Sequence, residues 1–177
     1  MKRGAGRTHP KGEGLDHALG RKKPPMDAFR IVLADDHYLI REGLRSILEE
    51  TADLQVVGEA SDGLELLFLL DRLKPHLVIL DISMPNLQGI ETARQIKMKY
   101  PGIKILILTM HAENEYLYQA ILAGVEGYLL KEDAQKDLLL AIERIREGKG
   151  FLSPILVANL EQKHKLLPEF IKFLMNS

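Results

Sequence analysis

Ile103-Lys104-Ile105-Leu106-Ile107-Leu108-Thr109, residues 103–109, is an almost wholly aliphatic run that ends in a hydroxyl. A strand that alternates inside and outside would show polar residues at every second position; residues 103–108 do not, which marks a strand buried on both faces, as in a parallel sheet covered by helices. Pro101-Gly102 before it stops a helix that the pattern runs from about Leu87 to Tyr100. Before that helix lies a third strand, His76 to Leu80, and before it a second helix, capped by Ser61 and ended before Pro75, because the residue preceding proline resists helical angles. Leu64, Leu67, Phe68 and Leu70 are its expected inward face. Further back, a strand spans Leu54 to Glu59, and a first helix carries Leu39, Ile40, Gly43, Leu44, Ile47 and Leu48 at helical spacing behind a first strand of Phe29, Ile31, Val32 and Leu33. Forward of residue 109, a helix takes Glu113 to Ala123 and stops at Gly124, a short strand takes Gly127 to Leu130, and a last helix starts at Asp133 as N-cap and ends at Gly148. Strand and helix alternate five times, the signature of an α/β fold of (βα)5 type, a mostly parallel sheet with helices on both faces.

The 177 residues fit one domain of ordinary size plus extensions, and 46% hydrophobic with 28% charged residues is a globular balance. The chain has no cysteine, which excludes disulfides, thiolate chemistry and cysteine-ligated zinc and fits a reducing, cytoplasmic setting. No apolar run approaches the ~18 residues of a membrane helix, so no membrane partner is expected. Charge is uneven: residues 1–25 hold seven Lys or Arg against two acids, whereas residues 26–177 carry a net −6. Residues 1–28 therefore read as a disordered basic tail, 29–150 as the domain, and 151–177 as a helical linker or the truncated start of a further domain. Within that last segment, Ser153-Pro154 is a cap followed by proline at the first helical position, which predicts a short helix to about Gln162.

In open parallel sheets ligands bind at the carboxyl ends of the strands, so the polar residue that follows each apolar run matters most. Strand 1 delivers Asp35 and Asp36, strand 3 Asp81, strand 4 Thr109 and strand 5 Lys131. Taken singly, each has an ordinary reading: an acidic pair that caps a helix, a solvated lysine, a strand-end hydroxyl satisfied by backbone. Taken together they put three carboxylates, an amine and a hydroxyl on one rim. Crowded carboxylates repel unless a cation neutralises them, and hard oxygen donors suit Mg²⁺, which also bridges to phosphate oxygens. A lysine adds a point charge for a phosphoryl oxygen and a threonine a hydrogen-bond donor, a set suited to phosphoryl transfer onto a carboxylate.

The acidic pair in Leu33-Ala34-Asp35-Asp36-His37, the stretch Asp81-Ile82-Ser83-Met84-Pro85-Asn86-Leu87-Gln88-Gly89-Ile90-Glu91, the strand end Leu108-Thr109-Met110-His111 and Gly127-Tyr128-Leu129-Leu130-Lys131 together resemble the receiver domain of two-component response regulators, in the NarL/FixJ (LuxR-type) branch. The resemblance covers about residues 29–150. It implies a flavodoxin-like (CheY-like) fold with a five-stranded parallel sheet in the order 2-1-3-4-5. Carried over position by position, it implies Asp81 as phosphoacceptor, Asp36 as a direct Mg²⁺ ligand, Asp35 acting through water, and the Ser83 backbone carbonyl as a further ligand. Lys131 would pair with the phosphoryl group, Thr109 would swing to hydrogen-bond it, Tyr128 would follow Thr109 inward, and Pro85 and Gly89 would shape the loop. The implied role is to accept a phosphoryl group from a sensor histidine kinase and switch an interface for homodimerisation and output, with transcriptional regulation in the full-length protein. The domain would be a phosphoacceptor that assists its own phosphorylation and dephosphorylation rather than an enzyme.

Two features depart from the family pattern. Many receivers carry a proline after the lysine in a cis bond; here Glu132 follows, so the expectation is either strain or a trans peptide. LuxR-type regulators continue into a helix-turn-helix, whereas this chain ends at Ser177 after a segment, Leu166 to Leu174, that resembles only its opening, so no sequence-specific DNA binding is expected of it. A haloacid dehalogenase-type phosphohydrolase would carry a second acid two residues after the first, where Ser83 stands, and a flavodoxin's phosphate loop would be repelled by Asp-Asp-His. The alternative that survives is a receiver fold used as a phosphorylation-independent interaction or dimerisation module.

Overall fold

The computed structural model describes residues 27–163. The expectations for the N-terminal tail up to residue 26 and for Leu166 to Leu174 lie outside them. Among the described residues six strands and six helices alternate: β1 (Phe29–Ala34), α1 (Tyr38–Glu49), β2 (Leu54–Ala60), α2 (Gly63–Leu73), β3 (Leu77–Leu80), α3 (Gly89–Lys99), β4 (Lys104–Thr109), α4 (Asn114–Leu122), β5 (Gly127–Leu130), a 3₁₀ turn (Lys131–Asp133), α5 (Ala134–Arg146), β6 (Phe151–Leu152) and α6 (Pro154–Lys163). The sheet is parallel throughout, in the order β2-β1-β3-β4-β5-β6. The order 2-1-3-4-5 of the sequence reading is present, and a sixth strand extends it.

β4 is buried from Ile105 to Thr109, as its uniform aliphatic composition requires. The sheet divides the core into two layers. Val32, Val78, Ile105 and Ile107 face α2, α3 and α4, while Ile31, Leu33, Ile79, Leu106 and Leu108 face α1 and α5. Neighbouring residues of one strand thus feed opposite cores, the period-2 alternation of a strand inside a three-layer fold.

Several local expectations are corrected. The buried stripe of α2 is Gly63, Leu66 and Leu70, whereas Leu64 and Phe68, expected inward, are 57% and 65% exposed, and Leu67 is half-buried. Gly63 sets this phase: a Cβ there would collide with the Thr92 hydroxyl and stand 2.6 Å from the Leu87 carbonyl oxygen, so α2 meets α3 through this glycine and presents what lies three and seven residues on. The N-cap of α2 is Asp62, whose carboxylate accepts from the Glu65 N–H at 2.8 Å; Ser61 instead donates its N–H and hydroxyl to the Glu65 side chain. The helix ends with Lys74 in the left-handed region at φ 43°, its N–H donating to the Leu70 carbonyl, immediately before Pro75. In α1, Leu44 and Leu48 are buried, but Leu39, Ile40 and Gly43 are exposed because only the C-terminal two turns pack on the sheet. Asp133 does precede α5 but makes no side-chain cap hydrogen bond, since it belongs to the 3₁₀ turn.

β6 was not anticipated from the sequence, where residue 151 opened a helical segment. Two residues are too few for a periodic signal; Phe151 and Leu152 become a strand by pairing with Gly127 and Tyr128. α6 follows from Pro154, as the Ser153-Pro154 pair predicts, and Leu152, Leu156 and Leu160 join the core on the α2–α4 side. The Ser153 hydroxyl accepts the Leu130 N–H at 2.9 Å, tying this segment to the end of β5. No described peptide bond is cis, so Lys131–Glu132 takes the trans form of the two considered.

Candidate functional site at the carboxyl edge of the sheet

β1 and β3 end side by side, with β5 one strand further along beyond β4, and the backbone holds the ends around β1 in step: the Asp81 N–H donates to the Ala34 carbonyl at 2.8 Å, tying β3 to β1, and the Asp35 N–H to the Ala60 carbonyl at 3.1 Å, tying β1 to β2. The side chains of Asp35 and Asp81 leave those ends nearly buried. Lys131, first residue after β5, reaches into the gap: its Nζ donates to Asp81 Oδ2 at 2.8 Å and stands 2.6 Å from Asp35 Oδ2. Burial works against the charged ammonium, yet its hydrogen bonds to Asp35 and Asp81 and their charges outweigh that cost, and its pKa lies above the ordinary lysine value. The lysine is therefore a fixed cation in the site.

One cation does not balance the acids. Asp36 stands on the exposed side of the cluster, and ligand atoms of Asp35, Asp36, His37 and Asp81 all lie within 4.8 Å of one another. Asp81 Oδ1 is buried and accepts no hydrogen bond. A buried carboxylate oxygen without a donor costs free energy unless something outside the protein meets it. A hard divalent cation fits that description, since the donors are oxygens and the open side gives room for water.

The loop after β3 is shaped by glycine. The Gly89 N–H donates to the Ile82 carbonyl at 3.0 Å, and a Cβ on Gly89 would land on the Asp81 carbonyl, so the first turn of α3 approaches the site backbone only because residue 89 lacks a side chain. Asn86, at φ 62°, turns the loop, and its side-chain amide donates to Asp62 at 2.8 Å.

Thr109 ends β4 opposite Leu130, one residue before Lys131, and is buried; its hydroxyl accepts the His111 N–H at 3.3 Å. Tyr128 is also buried, its hydroxyl donating to the His111 carbonyl at 2.8 Å. Burial first, then the charges of Glu113, Tyr116 and Asp81, raise its pKa far above the ordinary tyrosine value, so it remains a donor at any working pH. Ser83 is exposed, and its hydroxyl lies 2.7 Å from His111 Nε2.

The structure thus brings together Asp35, Asp36, Asp81 and Lys131 in one cluster and sets Thr109, Tyr128 and Ser83 around His111 beside it. Three contributors carried no role in the sequence reading. His37 presents Nδ1 to Asp36 Oδ1 at 2.9 Å and Asp35 Oδ1 at 3.1 Å. His111 links Ser83, Thr109 and Tyr128, and its ring packs on Tyr116 with centroids 4.3 Å apart. Arg41 donates to the Asp35 carbonyl and, at 3.0 Å, to Glu59. Both histidines fall within the quoted motifs, but nothing in their spacing separates a structural from a functional imidazole. Arg41 is one turn into a helix and has no sequence signal at all.

A family profile described as the response regulator receiver domain matches residues 31–143. A transcriptional regulatory protein of Bacillus subtilis strain 168, YxjL, is 37% identical over 134 residues, which cover 76% of this chain and 62% of that protein. The chain thus spans less than two thirds of that relative's length. The crystal structure of a LuxR-family two-component response regulator from Aurantimonas sp. SI85-9A1 superposes with a TM-score of 0.74 at 34% identity, over 77% of this chain and 98% of that one. The isolated receiver domain of RcsB from Salmonella enterica serovar Typhimurium, solved in the presence of the phosphomimetic BeF₃⁻, gives a TM-score of 0.70 at 34% identity, over 75% and 98% respectively.

Proposed function

The chain belongs to the response regulator receiver domain family, and from that premise we propose that Asp81 accepts a phosphoryl group from the phosphohistidine of a sensor kinase. The observation that carries the reading is the state of the Asp81 carboxylate: one oxygen is held by Lys131, while the other is buried without a hydrogen-bond donor. In the transfer, an Asp81 oxygen forms the new P–O bond as the P–N bond to the donor imidazole breaks, and the bonding electron pair leaves with that nitrogen. Lys131 is placed to move its charge from Asp81 to a phosphoryl oxygen, which needs only a small displacement of Nζ.

Mg²⁺ is the proposed cofactor, held by Asp36, Asp81 and the Ser83 carbonyl, with Asp35 acting through water; when bound it neutralises charge on the phosphoryl oxygens. Thr109 hydrogen-bonds the phosphoryl group in the phosphorylated state. The strand end is then remodelled where Tyr128 and His111 meet, a population shift that alters the surface of α4, β5 and α5 and favours homodimers. Phosphorylation in the RcsB receiver is mimicked by BeF₃⁻, and the similarity of fold and sequence supports the same chemistry here. Transcriptional regulation in a cytoplasmic two-component system is the proposed role of the full-length protein, on the model of its relatives.

The test is incubation with acetyl phosphate and Mg²⁺, followed by intact mass. The parent is expected to gain one phosphoryl group and Asp81→Asn none. No gain in the folded parent would replace this reading with a phosphorylation-independent interaction module.

A further inference from the structure

We propose that His37 is a metal ligand, and that its nitrogen makes the acidic site prefer borderline transition-metal cations, Zn²⁺ and Co²⁺, over Mg²⁺. The proposal rests on the reading of the site as a cation site and goes beyond it by adding a donor of a different kind. His37 Nδ1 is 2.9 Å from Asp36 Oδ1 and 3.1 Å from Asp35 Oδ1, and all of these atoms fall within the 4.8 Å cluster that includes Asp81. The ring is not held there by packing, for the side chain is 64% exposed; what fixes the start of the segment is backbone, the His37 N–H donating to Asp35 Oδ1 at 2.8 Å.

His37 Nδ1 stands at hydrogen-bond distance from both carboxylates, and a cation shared with them would take the place of the proton between nitrogen and oxygen. Within the same cluster, the buried Asp81 Oδ1 has no hydrogen-bond donor. Oxygen donors and water serve Mg²⁺ well, while divalent transition-metal ions bind carboxylates in the Irving–Williams order. One imidazole widens the gap, because imidazole suits Zn²⁺ and its neighbours in the transition series, whereas Mg²⁺ keeps oxygen ligands and water. His37 is thus a specificity-determining position of the site: with it, a transition-metal ion competes for the carboxylates that hold Mg²⁺.

The experiment is direct metal binding to the purified, metal-free chain, with no phosphodonor present. Mg²⁺ and Zn²⁺ affinities are measured by equilibrium dialysis for the parent and His37→Ala, and Co²⁺ binding is followed by its visible d–d absorption. Even partners that only orient a ligand typically change affinity 10- to 100-fold, so loss of the ligand itself should weaken Zn²⁺ and Co²⁺ binding by about 10-fold or more. Mg²⁺ affinity should be unchanged, and the Co²⁺ bands should shift. Equal Zn²⁺ affinity in parent and variant overturns the inference while leaving the Mg²⁺ reading intact. An equal loss for Mg²⁺ and Zn²⁺ overturns it too, since His37 would then support the carboxylates rather than bind the ion. Failure of the parent to bind either metal removes the cation site and this inference together.

Discussion

Lys131 is the residue on which the site's electrostatics turn. With Nζ against Asp35 and Asp81, it compensates two carboxylates that are both nearly buried. Lys131→Met is expected to abolish phosphorylation and to destabilise the metal-free protein by about 3 kcal/mol, the order seen when one partner of a buried ion pair is removed; urea unfolding measures it. The pH dependence has a definite sign. Because the folded-state pKa of Lys131 is raised, its stabilising contribution is fully present below the ordinary value of 10.5 and is lost as pH rises through the raised one. On the alkaline side the stability difference between parent and variant should therefore narrow only in strongly alkaline solution; a difference that narrows near neutrality would contradict the assignment. At this scale Asp35, Asp36, Asp81, Thr109 and Lys131 were legible in the sequence because each stands directly after an apolar run, where a parallel sheet delivers its ligands. His37, His111 and Arg41 were not, because their roles depend on which neighbours face them across the rim.

Elements carry the geometry that the single residues use. α3 starts against the Asp81 backbone, and Gly89→Ala would force the two apart; a destabilisation of about 1–3 kcal/mol is expected, as for other insertions into packed structure. Phosphorylation of that variant should be slower even where it is fully folded, which stopped-assay mass spectrometry would show. β6 and α6 close the far edge of the sheet, with Leu152, Leu156 and Leu160 buried and the Ser153 hydroxyl bound to the end of β5. Leu156→Ala should cost about 2–5 kcal/mol, and a chain ended at residue 150 should lose more; unchanged unfolding midpoints would mean this segment is not part of the folded body. The alternation of strands and helices was readable from periodicity. The phase of α2 was not, since Leu64, Leu66, Leu67, Phe68 and Leu70 offer more than one apolar stripe, and only the contact of Gly63 with α3 selects among them. β6 was hidden for a related reason: two residues have no period.

For the whole molecule, the carboxyl edge of the sheet is proposed to respond to cation and phosphoryl group as one unit. Mg²⁺ should stabilise the native state by mass action, about 2.7 kcal/mol at a hundred times its Kd. Thermal unfolding should show that gain in the parent and lose most of it in Asp36→Asn. The effect should be independent of His37, which separates the hard-cation site from its proposed nitrogen donor. Among the described residues no helix is long and apolar enough to cross a membrane, and the two core layers cover β3 and all of β4 but Lys104, so a change at the site would be read at the rim and the surfaces next to it.

The proposed phosphoacceptor, Asp81, can be identified directly by chemical trapping. An acyl phosphate is reduced by borohydride to an alcohol, so phosphorylated chain treated in this way and then digested reports the modified residue by mass. Homoserine is expected in place of Asp81, with unmodified aspartate at Asp35 and Asp36. Reduction at Asp35 or Asp36, or a phosphoryl group recovered on His37 or His111, would contradict it.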